Sequence, residues 1–151
     1  MFYTEKILSP ILEPISGMAK PFSEHGSFSL HISGNILVAH VADSWNKECA
    51  ELFSQQFKLQ VKPLFGKDWG HLVYLDDWEL GVPEIEPIIH DLVAWSIKNG
   101  LKCSANIFSE SMAKKYFLDK MIVEKIGDFE KQTLTEEQAA INWLASCGYT
   151  L

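Results

Sequence analysis

The chain has 151 residues, 47% of them hydrophobic, and a formal net charge of −7 at pH 7. This length and composition predict one globular domain with a hydrophobic core. The acidic balance argues against a general nucleic-acid or anionic-membrane binder, because both need basic patches. Peripheral membrane contact stays open.

Residues 1–26 differ from the rest of the chain because prolines interrupt an otherwise apolar segment. Pro10, Pro14 and Pro21 oppose one continuous helix. We therefore predict an N-terminal arm over residues 1–26 and a separate domain over residues 27–151. The apolar side chains of the arm favour docking on the domain, either in the same chain or in a partner chain.

Hydrophobic periodicity predicts the remaining elements in chain order. The segments "SFSLHI" and "ILVAHVA" flank "SGN", which is typical of a hairpin. Helices are predicted over 46–64, 83–99, 110–126 and from 135 onwards, and strands over 71–76, 101–108 and 129–133. This order predicts an α/β domain with a mixed, mainly parallel sheet, built as a sequential β-α superhelix.

Alternation along the strands separates two faces of the predicted sheet. One face is uniformly apolar: Leu37, Ala39, Val41, Val73, Leu75, Cys103, Ala105 and Ile107. We expect the helices to pack mainly on this face. The other face mixes polar and apolar groups, and we expect it to be half open. There the arm would cover a pocket floored by His40, Tyr74, Ser104 and Asn106.

Three segments carry a family resemblance: "GNILVAHVADSWN", "HLVYLDDWELGVPEIEPIIHDLVAWSIKNGL" and "EEQAAINWLASCG". On these the chain resembles the SpoIIAA-like superfamily, also described as the STAS and Sec14-like group, over about residues 27 to 148. Its bacterial stand-alone members, whose function is largely unassigned, are the nearest in pattern. The resemblance implies a β-α superhelix entered by an extra antiparallel strand, and similarity to Sec14-like domains implies an apolar ligand.

One departure from the resemblance concerns regulation. In anti-sigma-factor antagonists a phosphorylatable serine follows the strand that matches residues 71–76. Here the matching segment reads "DDWELGVPE", and no serine or threonine occurs from Asp76 through Ile89. We therefore do not expect a phosphoserine switch at this place.

The cysteines and the first residues indicate a cellular compartment. Cys49, Cys103 and Cys147 are far apart and lack the spacing of zinc or redox sites, so we expect free core thiols, no metal and no cofactor. The start "MFYTEKILSPILEPISG" lacks the pattern of a secretion signal, and no apolar run approaches the roughly 20 residues of a membrane span. A cytoplasmic protein is the expectation.

Two similar sequence segments each follow an apolar run: Asp43-Ser44-Trp45 and Asp76-Asp77-Trp78. The carboxyl edge of a sheet is where α/β proteins bind ligands, so one interpretation is a pocket walled by the two indoles and anchored by the carboxylates. The structural alternative is that Asp43 or Ser44 caps the next helix and the indoles seal the seam between helix and sheet. The candidate ligand-binding residues are His40, Asp43, Trp45, Tyr74, Asp76, Asp77, Trp78 and Asn106.

We predict a non-enzymatic binding or regulatory module for a small amphipathic or lipid-like ligand, and we assign no catalytic residue. The alternative is a protein–protein interaction module acting as a homodimer. A second alternative is an acid–base enzyme using Asp43, Asp76 and Asp77. The enzyme alternative requires a partly buried carboxyl group with a strongly shifted pKa.

Overall fold

A computed structural model describes residues 26–109, 114–115, 118–119 and 125–151. The predicted N-terminal arm lies outside the described residues, apart from Gly26. Most of the helix predicted over 110–126 also lies outside them, although its described residues at 114–115 and 118–119 are helical.

The described part of the chain forms an α/β domain around one mixed sheet. Its strands are β1 (Ser27–Ser33), β2 (Ile36–Trp45), β3 (Trp69–Tyr74), β4 (Trp78–Gly81), β5 (Leu101–Ile107), β6 (Lys125–Ile126) and β7 (Phe129–Leu134). Its helices are α1 (Lys47–Gln60), α2 (Ile85–Lys98) and α3 (Glu137–Ser146), with a 3-10 turn at Lys62–Leu64. None of these helices is long and apolar enough to cross a bilayer.

The sheet follows the order β1-β2-β3-β5-β7-β6, and β4 pairs with the end of β2. The four central strands β2, β3, β5 and β7 run parallel, while β1 and β6 pair antiparallel at the two edges. Gly34 turns the β1–β2 hairpin with φ at 61°, in the left-handed region that favours glycine. The predicted mixed, mainly parallel architecture is confirmed.

Helices cover both faces of the sheet, with two of the three described helices on one face and the third on the other. On the first face α1 and α2 pack over Leu37, Ala39, Val41, Val73 and Leu75. On the second face α3 packs over the middle of the sheet through Ala140 and Leu144, against Ile36, Val38, Leu72, Cys103, Ala105 and Ile107. Each fully buried aliphatic side chain contributes about 1.5–3 kcal/mol, so both layers stabilise the fold.

The predicted facing of β5 is wrong. Cys103, Ala105 and Ile107 lie under α3, whereas Ser104 and Asn106 face α1 and α2. In the ladder Ser104 is in register with His71 and Asn106 with Val73. Because helices cover both faces, apolar residues on β5 do not reveal which face they occupy.

Two short strands differ from the predicted elements. β4 follows β3 after only a turn and pairs in parallel with the end of β2. Lys125 and Ile126, expected at the end of a helix, form β6 and pair with Glu130 and Phe129. Gly127, with φ at 58°, allows the tight turn between β6 and β7. Both strands depend on pairing with a neighbour, which a short stretch of sequence does not reveal.

All three cysteines are free thiols. Cys49 and Cys103 are buried, as expected for core thiols, while Cys147 is exposed at the end of α3. Burial raises the pKa of Cys103 to about 12, and its contact with Cys147 adds to the shift. The buried Cys103 thiol is therefore protonated and unreactive at neutral pH.

Candidate ligand-binding cavity

The two Asp-x-Trp segments form one short parallel ladder. Asp43 is in register with Trp78, and Trp45 is in register with Gly81. The backbone N–H of Asp43 donates to the carbonyl oxygen of Asp77 over 2.9 Å. Asp43 adopts φ at 65°, which is rare for a residue other than glycine, as the chain twists to make this pairing. The two similar segments are therefore the end of β2 and the turn that leads into β4, and they pair with each other.

This ladder places both indoles on the α1 and α2 side of the sheet. Trp45 and Trp78 are 3% and 4% exposed and meet edge to face, with ring centroids 6.5 Å apart. The Trp45 Nε1–H donates to the carbonyl oxygen of Ala42 over 3.0 Å. Asn46, rather than Asp43 or Ser44, caps α1 by accepting from the Cys49 N–H. The indoles seal the seam between helix and sheet, as the structural alternative expected, and they also form the wall of a cavity.

The cavity lies between the sheet and the helices α1 and α2 and has a volume of about 90 Å³. Its walls are mainly apolar and include Val41, Phe53, Val73, Ile85, Leu92 and Phe129. Tight packing is the rule in protein interiors, where voids larger than a water molecule are few. A space of this size in a domain core is therefore a candidate binding site.

Asn106 brings an amide group to this apolar space. Its side chain lines the cavity and is 1% exposed. Within the described part of the chain, neither its Oδ1 nor its Nδ2 has a hydrogen-bond partner. A buried amide left without partners costs about 1–3 kcal/mol. The Asn106 amide is therefore ready to bind a polar group inside the cavity.

His71 adds a second polar point on the neighbouring strand. The residue is half-buried as a whole, but its Nε2 is enclosed and has no hydrogen-bond partner in the described part of the chain. The ring packs edge to face against Phe57, with centroids 5.2 Å apart. Burial lowers the pKa of His71 to about 4. The imidazole is therefore neutral at pH 7 and does not attract an anion.

The three aspartates lie outside the cavity and are exposed. Asp43 accepts a hydrogen bond from the Ser27 hydroxyl over 3.2 Å. Asp76 Oδ1 accepts from the N–H and the hydroxyl of Ser109 over 2.7 and 2.9 Å, which ties the end of β3 to the segment after β5. These bonds, and then the charge of Lys114, lower the pKa of Asp76. The enzyme alternative required a partly buried carboxyl group, and these three are solvated.

His40 and Tyr74 form a separate polar cluster near the first turn of α3. Their rings stack with centroids 4.2 Å apart and planes 2° from parallel. The Tyr74 hydroxyl donates to Glu137 Oε2. Burial, this hydrogen bond and the Glu137 charge raise the pKa of Tyr74 to about 12. Burial and the nearby His31 lower the pKa of His40, and Glu137 and Asp77 oppose that shift.

The expected pocket floored by His40, Tyr74, Ser104 and Asn106 is wrong. Tyr74 is on the α3 face, where His40 stacks on it, whereas Ser104 and Asn106 are on the cavity face. The sheet itself separates the two pairs.

No group of three or more described His, Cys, Asp or Glu residues could hold a metal ion.

Neither a protein-family model nor a curated protein sequence matches the chain. Among solved structures, the chain is similar to an uncharacterized protein from Shewanella loihica PV-4, of the DUF3478 family with a SpoIIAA-like fold. The two are 11% identical with a TM-score of 0.59, over 80% of this chain and 94% of that chain. This chain has a SpoIIAA-like fold. The predicted fold is thereby confirmed.

A second similar structure is the anti-sigma factor antagonist SpoIIAA in its unphosphorylated form. It is 11% identical, with a TM-score of 0.49, over 79% of this chain and 98% of that chain. At this identity the likeness concerns the fold alone.

Within this SpoIIAA-like fold, the predicted site residues separate into three places. Trp45, Trp78 and Asn106 meet at the cavity. Asp43, Asp76 and Asp77 lie at the exposed carboxyl edge, and His40 and Tyr74 make the cluster beside α3. Sequence reasoning missed His71. The signal for it was a histidine inside the apolar run "WGHLVYL", where a titratable group is unusual.

Proposed function

We propose that this protein is a non-enzymatic binding module that holds a small, neutral, amphipathic ligand in the cavity between the sheet and helices α1 and α2. The observation that carries the proposal is the Asn106 amide, which is buried in an apolar cavity without a hydrogen-bond partner in the described residues. A ligand with an apolar body and a polar end would bury its body against the walls and offset the cost of the unpaired amide.

The size and charge of the cavity narrow the ligand. An engineered cavity of roughly 150 Å³ binds benzene, so a volume of about 90 Å³ limits the ligand to a molecule no larger than benzene, with at most about six non-hydrogen atoms. This favours the small amphipathic ligand over the lipid-like one. The neutral imidazole of His71 and the apolar walls favour an uncharged molecule, because burying an unpaired charge is costly.

The proposal is tested by titrating the full chain with isobutanol and following backbone amide chemical shifts by NMR. We expect the largest shifts at Val73, Ser104 and Asn106. Ser104→Leu places a branched apolar side chain in the cavity and is expected to abolish these shifts. The matched control is Ser29→Leu, on the exposed side of the edge strand β1, which is expected to keep them. Shifts confined to the outer surface, or unaffected by Ser104→Leu, would contradict the proposal.

Two further expectations remain predictions. One is that residues 1–26 form an arm separable from the domain over residues 27–151. The other is the homodimeric interaction module. Sedimentation analysis of the full chain and of a chain that starts at residue 27 tests both, because arm exchange predicts a dimer only for the full chain.

A further inference from the structure

Two residues that line the cavity carry three buried hydrogen-bonding atoms without a partner in the described residues: Asn106 Oδ1, Asn106 Nδ2 and His71 Nε2. Two other buried polar groups on this side of the sheet are paired. Ser96 donates to the Leu92 carbonyl oxygen over 2.8 Å, and Lys131 Nζ lies 3.1 Å from Asp119 Oδ1. Most buried polar atoms in native proteins have a partner. The three unpaired atoms are thus an exception concentrated at one place.

The strand register fixes the distance between His71 and Asn106 along the two strands. Asn106 is in register with Val73, two residues beyond His71 on the adjacent parallel strand. Strand spacing and rise then separate the Cα atoms of His71 and Asn106 by about 8 Å. Both side chains lie on the same face and line the cavity. A polar group of a few atoms between them is within hydrogen-bonding reach of both.

We propose that the ligand carries a primary carboxamide group, an inference that rests on the proposed function. An amide side chain presents an acceptor and a donor side by side, and another amide is complementary to it through two parallel hydrogen bonds. The ligand carbonyl oxygen accepts from Asn106 Nδ2, and one ligand N–H donates to Asn106 Oδ1. The second ligand N–H donates to His71 Nε2, in the tautomer whose Nδ1 carries the proton.

Other small polar groups satisfy fewer of these three atoms. A ketone has no donor, so Asn106 Oδ1 and His71 Nε2 stay unpaired. A carboxylic acid has one donor when protonated and none when ionised at pH 7, and burying its unpaired charge among mainly apolar walls is costly. A primary carboxamide is neutral at every physiological pH and pairs all three. A small branched or cyclic alkyl body would then fill the apolar space beside Trp45 and Trp78.

The test uses four probes that share a branched skeleton: isobutyramide, isobutyric acid, methyl isopropyl ketone and the corresponding alkane, 2-methylbutane. Binding to the full chain is measured at pH 7 by NMR, with the side-chain NH₂ signals of Asn106 as the direct readout. We expect isobutyramide to bind about tenfold more tightly than the ketone, and to be the probe that shifts the Asn106 NH₂ signals most. Asn106→Leu has nearly the same shape and is expected to fold and to lose this preference. Asn142→Leu, on the exposed side of α3, is the matched control and should retain it.

The remaining outcomes separate a failure of the carboxamide inference from a failure of the proposed function. If the ketone or the alkane binds the native protein as tightly as isobutyramide, the carboxamide inference is wrong while the binding cavity stands. If isobutyramide binds preferentially but Asn106→Leu keeps the preference, the group that reads the amide is elsewhere and the inference also fails. If none of the four probes binds, the cavity holds only water and the proposed function fails together with the inference.

Discussion

Tyr74 and Asn106 lie on opposite faces of the sheet and differ in whether their polar groups have a hydrogen-bond partner. On the α3 face, Tyr74 is half-buried at the rim, where its hydroxyl is bound by Glu137 and its ring is stacked on His40. On the α1 and α2 face, Asn106 is fully enclosed and has no partner in the described residues. The hydrogen bond of Tyr74 stabilises the fold without a ligand. The unpaired amide of Asn106 lowers the stability of the fold and leaves its donor and acceptor unused, as expected of a binding site.

The largest expected effect is the loss of folding stability at low pH that the buried His71 causes on the cavity side of the sheet. His71 stays neutral in the folded protein down to a pKa of about 4, while in the unfolded chain it titrates near 6.5. The unfolded state therefore binds more protons in this window, and stability falls as the pH drops from about 6.5 to about 4, by up to about 3 kcal/mol. Urea unfolding at pH 7 and pH 4.5 should show a smaller loss for His71→Gln than for the native protein. The exposed His90→Gln variant is the control, and equal losses in all three proteins would remove His71 as the cause.

The second prediction compares the change in stability when one methylene group is added to a buried valine on each face of the sheet. Val38 lies under α3 and Val73 lines the cavity, and both are buried valines on neighbouring parallel strands. Val38→Ile is expected to lower the free energy of unfolding by about 1–3 kcal/mol, because Val38 is buried among the side chains under α3 and an added methylene group overpacks them. Val73→Ile is expected to be neutral or to stabilise by up to about 0.8 kcal/mol, because its extra carbon enters empty space. Denaturant midpoints measure both changes, and an equal cost at the two sites would mean that the cavity is closed in solution.

The smallest expected effect concerns the cluster beside α3. Glu137→Gln replaces the carboxylate that accepts the hydrogen bond from the Tyr74 hydroxyl. It should lower the free energy of unfolding by about 1 kcal/mol at neutral pH. The raised pKa of Tyr74 means that its contribution is complete below about pH 10 and is lost as the pH rises through about 12. Absorbance titration of the native protein and of Glu137→Gln should therefore show one tyrosine ionising at lower pH in the variant. The neighbouring exposed Glu136→Gln should leave the titration unchanged.

The fold was largely predictable because its signals are local. The "SGN" turn, the apolar spacing of α1 and the Gly100 that ends α2 each act within a few residues, and together they predict the order of elements. The missed β4 and β6 are short and exist through pairing with β2 and β7. Their sequences alone are compatible with a turn or a helix end.

The candidate site was less predictable because it depends on which side of the sheet a residue faces. The indoles of Trp45 and Trp78 were recognised as walls, since large aromatics at strand ends attract attention in any sequence. Asn106 was recognised but placed with His40, because the facing of β5 follows from long-range register rather than from local alternation. His71 became visible only through its burial, which is a property of the packed structure.

The pair of tryptophans at the cavity has an optical consequence. Trp45 and Trp78 line the cavity, whereas Trp69, Trp95 and Trp143 do not. Indole emission depends on the polarity and the quenching groups around the ring, so an occupant of the cavity would alter the light emitted by two of the five tryptophans. The site thus contains its own fluorophores, and its occupancy is readable in unlabelled protein.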